Sequence, residues 1–228
     1  MINTYSDQSH LLVAVDCIIF GFDNEELKLL LIKRNFEPEK GNWSLMGGFL
    51  QDDETSENAA SRVLLKLTGL HDVYLEQIHT FSDPNRDPVE RTISITYYAL
   101  INIEHHNEEL SRQHSAEWFS LSEVPPLIFD HGQMVRYAIN RLRYKASTQP
   151  IGFELLPEKF TMRQLQKLYE AIQGQELDKR NFAKKINQLD VLTKLDEKDM
   201  NSSKRGSYLF KFDKEKYEAS QNNFWIKI

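Results

Sequence analysis

The stretch GFLQDDETSENAASRVLLKLTGL, residues 48–70, decides how the rest of the chain is read. Gly48 permits a tight loop, and a helix is expected from Thr55 to Thr68. It ends at Gly69, the residue type that closes helices in a left-handed conformation. Glu54 and Arg62 can pair and hold the loop on the helix. Val63, Lys66 and Leu67 fall at i, i+3 and i+4, so they share one helix face. Mg²⁺ takes hard oxygen ligands, usually carboxylates, water and phosphate. Two apolar side chains and an ammonium supply none, and the ammonium repels a cation. Asp52, Asp53 and Glu57 are close by but off this register.

Around this segment the chain alternates strands and helices. Residues 11–34 read as a β-hairpin turning at Asp-Asn-Glu-Glu, and residues 44–50 as a short strand entering the opening stretch. Strands are expected over 73–83 and 92–103. Asp130 is placed to cap a linking helix running from about Gly132 to Ala146. The segment QPIGFELLP, residues 149–157, is the expected domain boundary. Beyond it, Thr161 caps a helix ended by Gly174, Asp178 caps a second helix, and two short strands flank a polar loop. The expected domains are therefore 1–148 and 149–228.

Composition narrows the function classes. The 228 residues carry 28 Lys and Arg, 34 Asp and Glu and a formal charge of −6. Residues 151–228 hold 15 basic and 12 acidic side chains, leaving 13 and 22 to residues 1–150, so +3 faces −9. A mildly basic tail on an acidic body is the pattern of one half meeting a polyanion. The one cysteine, Cys17, lies in an apolar run and reads as a buried hydrophobe, which excludes an internal disulfide framework. The N-terminus does not look like a signal peptide, and no apolar run approaches a membrane span. A cytoplasmic protein without membrane contact is expected. The seven histidines show no metal-ligand spacing, and no metal, cofactor or catalytic residue is assigned.

The opening stretch resembles the Nudix box, the signature of hydrolases acting on nucleoside diphosphates linked to another group. Gly48, Glu54, Arg62, Leu64, Gly69 and Leu70 match it in register. The family's three downstream glutamates fall on Val63, Lys66 and Leu67, so the resemblance implies the Nudix scaffold without its metal-dependent catalysis. The expected fold is α+β, an α/β/α Nudix-like sandwich kept as an effector pocket and followed by a winged helix-turn-helix.

Candidate effector residues follow from strand patterning and from the loop 82–91. Asp16 interrupts an apolar strand, where an unpaired carboxylate is costly. Lys33 stands roughly opposite, so the two either form a cross-strand ion pair or face a cleft. Arg34 and Trp43 lie near the expected cleft, and Trp43 suits a sugar platform or simple core packing. Asp83, Arg86, Asp87 and Arg91 crowd one loop; Asp83 and Arg91 are retained, with Arg91 favoured because it leads into a strand. Glu117 completes the set.

The tail reads as a DNA-binding unit. In a helix-turn-helix the start of the second helix meets base edges in the major groove. Arg180 and Asn181 suit guanine and adenine edges, whereas Lys184 and Lys185 suit phosphates. Ser202, Lys204 and Arg205 fall on the wing, and Phe182, Ile186 and Leu189 form the buried stripe. Nearly the whole chain is similar to the Nudix-related transcriptional regulators. One branch of that family, NrtR, responds to ADP-ribose, and another, AraR of Bacteroidetes, to L-arabinose. LVAVDCIIFGF and LLIKRNFEPEKGNWSLMGGFL look closer to the second. The resemblance implies a homodimeric repressor of L-arabinose utilisation genes, bound to double-stranded operator DNA and released by L-arabinose, with an ADP-ribose-responsive regulator of NAD metabolism or an active Nudix hydrolase as the alternatives.

Overall fold

The computed structural model describes residues 5, 8–23, 25–103, 116–200 and 205–220. Its frame is β1 (Leu12–Phe22), an apolar strand buried on both faces. Successive side chains of a strand alternate between faces. Val15, Cys17 and Ile19 therefore pack toward one helix, while Ile18 and Phe20 join a second cluster on the opposite face. Asp16 falls on that second face.

β1 runs parallel to β6 (Thr92–Asn102) along its whole length. Its other edge is shared. From Ile19 to Phe22 it pairs antiparallel with β2 (Leu27–Lys33), but from Ala14 to Cys17 its partner is β4 (Met46–Phe49). Asp16 consequently stands opposite Gly47, so of the two readings of Asp16 and Lys33 the cross-strand pair is not formed. Lys33 instead pairs with Trp43 in β3 (Trp43–Ser44). With β5 (Glu76–Phe81) on β6 and β7 (Ala116–Ser120) on β2, the sheet has seven strands.

A helix covers each face. α1 (Ser56–Thr68) begins where Thr55 Oγ1 accepts the Asn58 amide at 3.3 Å and ends at Gly69, φ 77°. The Gly69 end is as the sequence implies, while the helix starts one residue later than expected, with Thr55 as its cap. α1 buries Ala59, Ala60, Val63 and Leu64 against Val15, Cys17 and Ile19. α2 (His131–Thr148) covers the other face through Met134, Val135, Ala138 and Leu142. Asp130 precedes it but makes no side-chain cap, because its carboxylate is committed to Arg86.

After a short 3₁₀ turn (Phe153–Leu155) and β8 (Phe160–Thr161) comes α3 (Met162–Gln173), opened by a reciprocal capping box between Thr161 and Gln164. α4 (Lys179–Leu189) is capped by Asp178, which accepts the Asn181 amide at 2.8 Å. β9 (Leu192–Asp199) and β10 (Ser207–Phe212) complete a three-stranded sheet ordered β8-β10-β9, and α5 (Lys214–Ser220) follows. This is the winged helix-turn-helix implied by the sequence, with β8 and α5 as additions to that reading. The joint between the two units is packed. Leu142 and Ala146 of α2 share a core with Leu168 and Ile172 of α3. Arg143 Nε donates to the Ile172 carbonyl at 2.9 Å, and Gln173 Nε2 returns a bond to the Arg143 carbonyl. No helix among the described residues is long and apolar enough to cross a membrane.

Gly48 shows how closely α1 sits on the sheet: a Cβ there would lie 2.7 Å from Val63 Cγ2. Gly48→Ala should destabilise the chain by about 1–3 kcal/mol through overpacking. Val63→Ala in the same chain should recover part of that loss, as read by urea denaturation of the single and double variants.

Candidate functional site

A cavity of about 360 Å³ opens between α1, the loop after β2 and the start of α2. That size falls within the range of small-molecule sites. Asp16 forms its floor, where Gly47 leaves room that a Cβ would take from Asp16 Oδ1. Ser94 Oγ donates to Asp16 Oδ2 at 2.5 Å, and Arg86 Nη2 lies 3.6 Å from the same oxygen. His131 Nε2 faces Oδ1 at 3.6 Å. Arg86 is itself gripped by Asp130 through two bonds of 3.0 and 2.9 Å. The Leu45 amide donates to His131 Nδ1 at 3.2 Å, which leaves the ring proton on Nε2, toward Asp16. Burial is the main influence on His131 and lowers its pKa, against the opposing pull of Asp16 and Asp130.

The walls are cationic. Lys33, Arg34 and Lys66 line the cavity, joined by the carboxylate of Asp87. Arg34 is held over the Phe36 ring, 3.8 Å from its centroid, and its Nε donates to the Pro38 carbonyl at 2.6 Å. Phe129, with a left-handed φ of 48°, closes the far side 5.5 Å from the Arg34 guanidinium. On α1, Lys66 and Leu67 reach the cavity, while Val63 is buried beneath Gly48. Glu54 and Arg62 pair as expected, with Arg62 Nε to Glu54 Oε2 at 2.8 Å, and Arg62 also bonds the Phe49 carbonyl. Among the described residues, no cluster of three His, Cys, Asp or Glu side chains could hold a metal ion.

Of the candidate effector residues, Asp16, Lys33 and Arg34 meet in this cavity and the other four lie elsewhere. Trp43 packs edge-on against Phe119, with ring centroids 4.7 Å apart. Asp83 accepts the Asn85 amide within its own loop. Arg91 is a strut, donating to the Ser82 and Asp83 carbonyls at 3.0 and 3.1 Å. Glu117 is exposed on β7. Arg86, weighed in the sequence and passed over for Arg91, lies at the floor beside His131 and Ser94. The available signal was Asp16 itself, since a carboxylate in a buried strand requires a partner from somewhere.

On α4, Phe182, Ile186 and Leu189 are buried, as expected. Arg180, Asn181 and Lys184 are exposed and Lys185 is half-buried at the flank. Asn187 extends the exposed row, at i+7 from Arg180 and one turn beyond Lys184. Arg205 is exposed at the base of the wing. Ser202 and Lys204 lie outside the described residues.

His131 gives the cleft a pH signature. The unfolded chain carries an ordinary histidine with a pKa near 6.5, whereas burial lowers the folded value. Below that pH the unfolded state binds a proton that the folded state resists, so stability is full above it and declines as pH falls. His131→Gln should flatten this decline. Urea midpoints taken at about pH 7 and about pH 5.5 should differ less in the variant than in the parent chain.

Two family models match the chain: the NUDIX domain over residues 10–138 and the NrtR DNA-binding winged helix domain over residues 152–212. The chain is 33% identical over 217 residues to the "ADPR responsive transcriptional repressor NtrR" of Acinetobacter baylyi, covering 93% of this chain and 86% of that protein. It is similar to the crystal structure of Shewanella oneidensis NrtR complexed with a 27mer DNA, at 26% identity and TM-score 0.83, covering 94% of this chain and 98% of the other. The NUDIX domain of the same Shewanella protein, complexed with ADP ribose, matches at 29% identity and TM-score 0.53 over 62% of this chain and 94% of that one. The chain therefore belongs to the NrtR-type regulators, in which a Nudix domain is joined to a DNA-binding winged helix.

Proposed function

We propose that this chain is a DNA-binding transcriptional repressor, released from its operator when a small effector fills the Nudix cleft. One observation carries the reading. A single helix, α2, begins with His131 in the cleft floor and ends bonded to the first helix of the winged unit through Arg143. The chain acts as a homodimer, so its α4 helices meet two half-sites. Effector binding releases DNA because it favours a placement of the winged units that no longer matches those half-sites. Arg180 and Asn181 read bases, and Lys184, Lys185 and the wing, including Ser202, Lys204 and Arg205, hold phosphates.

An ADP-ribose-type nucleotide is the effector best supported by the relatives and by charge. The floor carboxylates Asp16 and Asp130 already face Arg86, and of the remaining wall charges three are cations against Asp87. A diphosphate entering the cleft meets Lys33, Arg34 and Lys66 without needing a metal. With Val63, Lys66 and Leu67 on the helix face where Nudix hydrolases gather glutamates, the domain binds its ligand and does not hydrolyse it.

The floor supports L-arabinose as a second reading. Asp16, His131 and Arg86 offer acceptors and donors to hydroxyls, and Phe36 and Phe129 offer aromatic faces.

A thermal-shift panel separates the readings. ADP-ribose should raise Tm equally with and without Mg²⁺ and remain intact, and Lys66→Glu should reduce the shift. A shift with L-arabinose alone transfers the effector role to the pentose, and Mg²⁺-dependent cleavage of ADP-ribose would overturn the non-enzymatic reading. In operator titrations, Arg180→Ala should cost about 1–3 kcal/mol and relax base preference.

A further inference from the structure

The winged unit treats its cations in two ways. Two of those away from the groove beneath α4 are neutralised. Lys159 bonds both carboxylate oxygens of Glu197 at 2.8 and 2.7 Å, and Lys211 holds Glu158 at 2.6 Å. Around the groove, Arg163, Lys179 and Lys194 have no ion pair among the described residues, nor does Lys198 beside it. Asp190, the one carboxylate lining the groove among the described residues, is already bound by Lys216 at 3.0 Å.

The sharpest feature lies on the stem of the wing. Tyr208 pairs with Lys198 across the strands and Phe210 with Lys194, with a register shift between them. Paired residues of antiparallel strands project from the same face. The Lys194 ammonium lies 3.6 Å from the Tyr208 ring centroid and the Lys198 ammonium 4.7 Å from it, and Tyr208 is 44% exposed. Two like charges over one ring repel. Cation–π attraction offsets part of that cost. Among the described residues no carboxylate comes within ion-pair distance of either ammonium. Neither ammonium has an anionic partner among the described residues, and an anion seated beside Tyr208 would be attracted by both. The groove leads from Tyr208 past Phe210 to Asn187 of α4, which continues the exposed row of Arg180 and Lys184.

We propose that Lys194, Lys198 and Tyr208 form a phosphate seat on the wing stem, which grips a phosphodiester of duplex DNA beside the strand-reading face of α4. The inference rests on the DNA-binding reading above and adds residues from the two strands to the helix and the wing tip. The ring holds both ammoniums in place before DNA arrives, so less side-chain freedom is lost on binding than with free lysines.

Non-specific binding is dominated by phosphate contacts, so the full chain can be titrated with a fluorescein-labelled, mixed-sequence duplex across a salt series. Lys194→Gln and Lys198→Gln should each lower the slope of log affinity against log salt by about 0.9, and the double variant by about twice that. Lys211→Gln removes the same charge from the opposite wing face and should leave the slope unchanged. Tyr208→Leu should weaken binding with a smaller change in slope. A parent-like slope in the Lys194/Lys198 double variant overturns the seat, as does an equal loss in Lys211→Gln. A parent chain that binds no duplex at any salt overturns the DNA-binding reading and the seat with it. Melting temperatures unchanged from the parent, as expected for exposed lysines, separate lost contacts from lost folding.

Discussion

The carboxylate of Asp16, buried in an apolar strand, sets the conditions that the rest of the first domain meets. A charge in that position requires opposite charge and hydrogen-bond donors. They come from three separate places: Ser94 on the neighbouring strand, Arg86 from the loop before it, and His131 at the head of α2. Meeting this need brings the sheet, the loop and the helix to one point, and it fixes where α2 begins. Such a cluster is weak evidence for stability in itself, since its Coulombic gain is set against desolvation. Removing one partner of a buried pair nevertheless costs about 3–5 kcal/mol. The cluster therefore acts as a locator, and the cleft forms above it.

What was legible in the sequence was local. The caps Gly69, Thr161, Gly174 and Asp178 signal through residues a few positions away, and each does what its neighbours imply. The buried stripe of α4 follows from helical period alone. The failures share the opposite property. Asp16 was set opposite Lys33 by continuing a hairpin register, but β4 arrives from outside the hairpin and takes that edge of β1. Asp130 was read as a cap because its neighbours form a helix, whereas Arg86, 44 positions away, claims both of its oxygens. Arg91 outranked Arg86 because it adjoins a strand. In the fold that adjacency makes it a strut for backbone carbonyls and leaves Arg86 for the floor.

The two functional regions distribute charge differently. In the cleft floor, Arg86 faces Asp16 and Asp130 at short range, so a ligand meets charges already partnered and a set of directional donors and acceptors. Around the cleft wall and along the wing stem, cations stand without such matching. The same division explains why net charge is a poor guide here. A chain of −6 overall still leaves Lys194 and Lys198 on the wing stem with no ion pair among the described residues. Field strength at a surface depends on where charge is left uncompensated.

Val63 lies 3% exposed beneath Gly48, and this contact bears on which side chains the helix face can carry. A glutamate there would carry its charge into a space now shaped for a branched hydrocarbon, beside a glycine with no room to give. Until a cation arrived, that carboxylate would weaken the fold. A metal-binding carboxylate at this position would thus be destabilising before any cation offset it, with Lys66 and Leu67 still supplying no ligand. The packing of one valine sets what this helix face accepts: a branched hydrocarbon fits beneath Gly48 and a bare carboxylate does not.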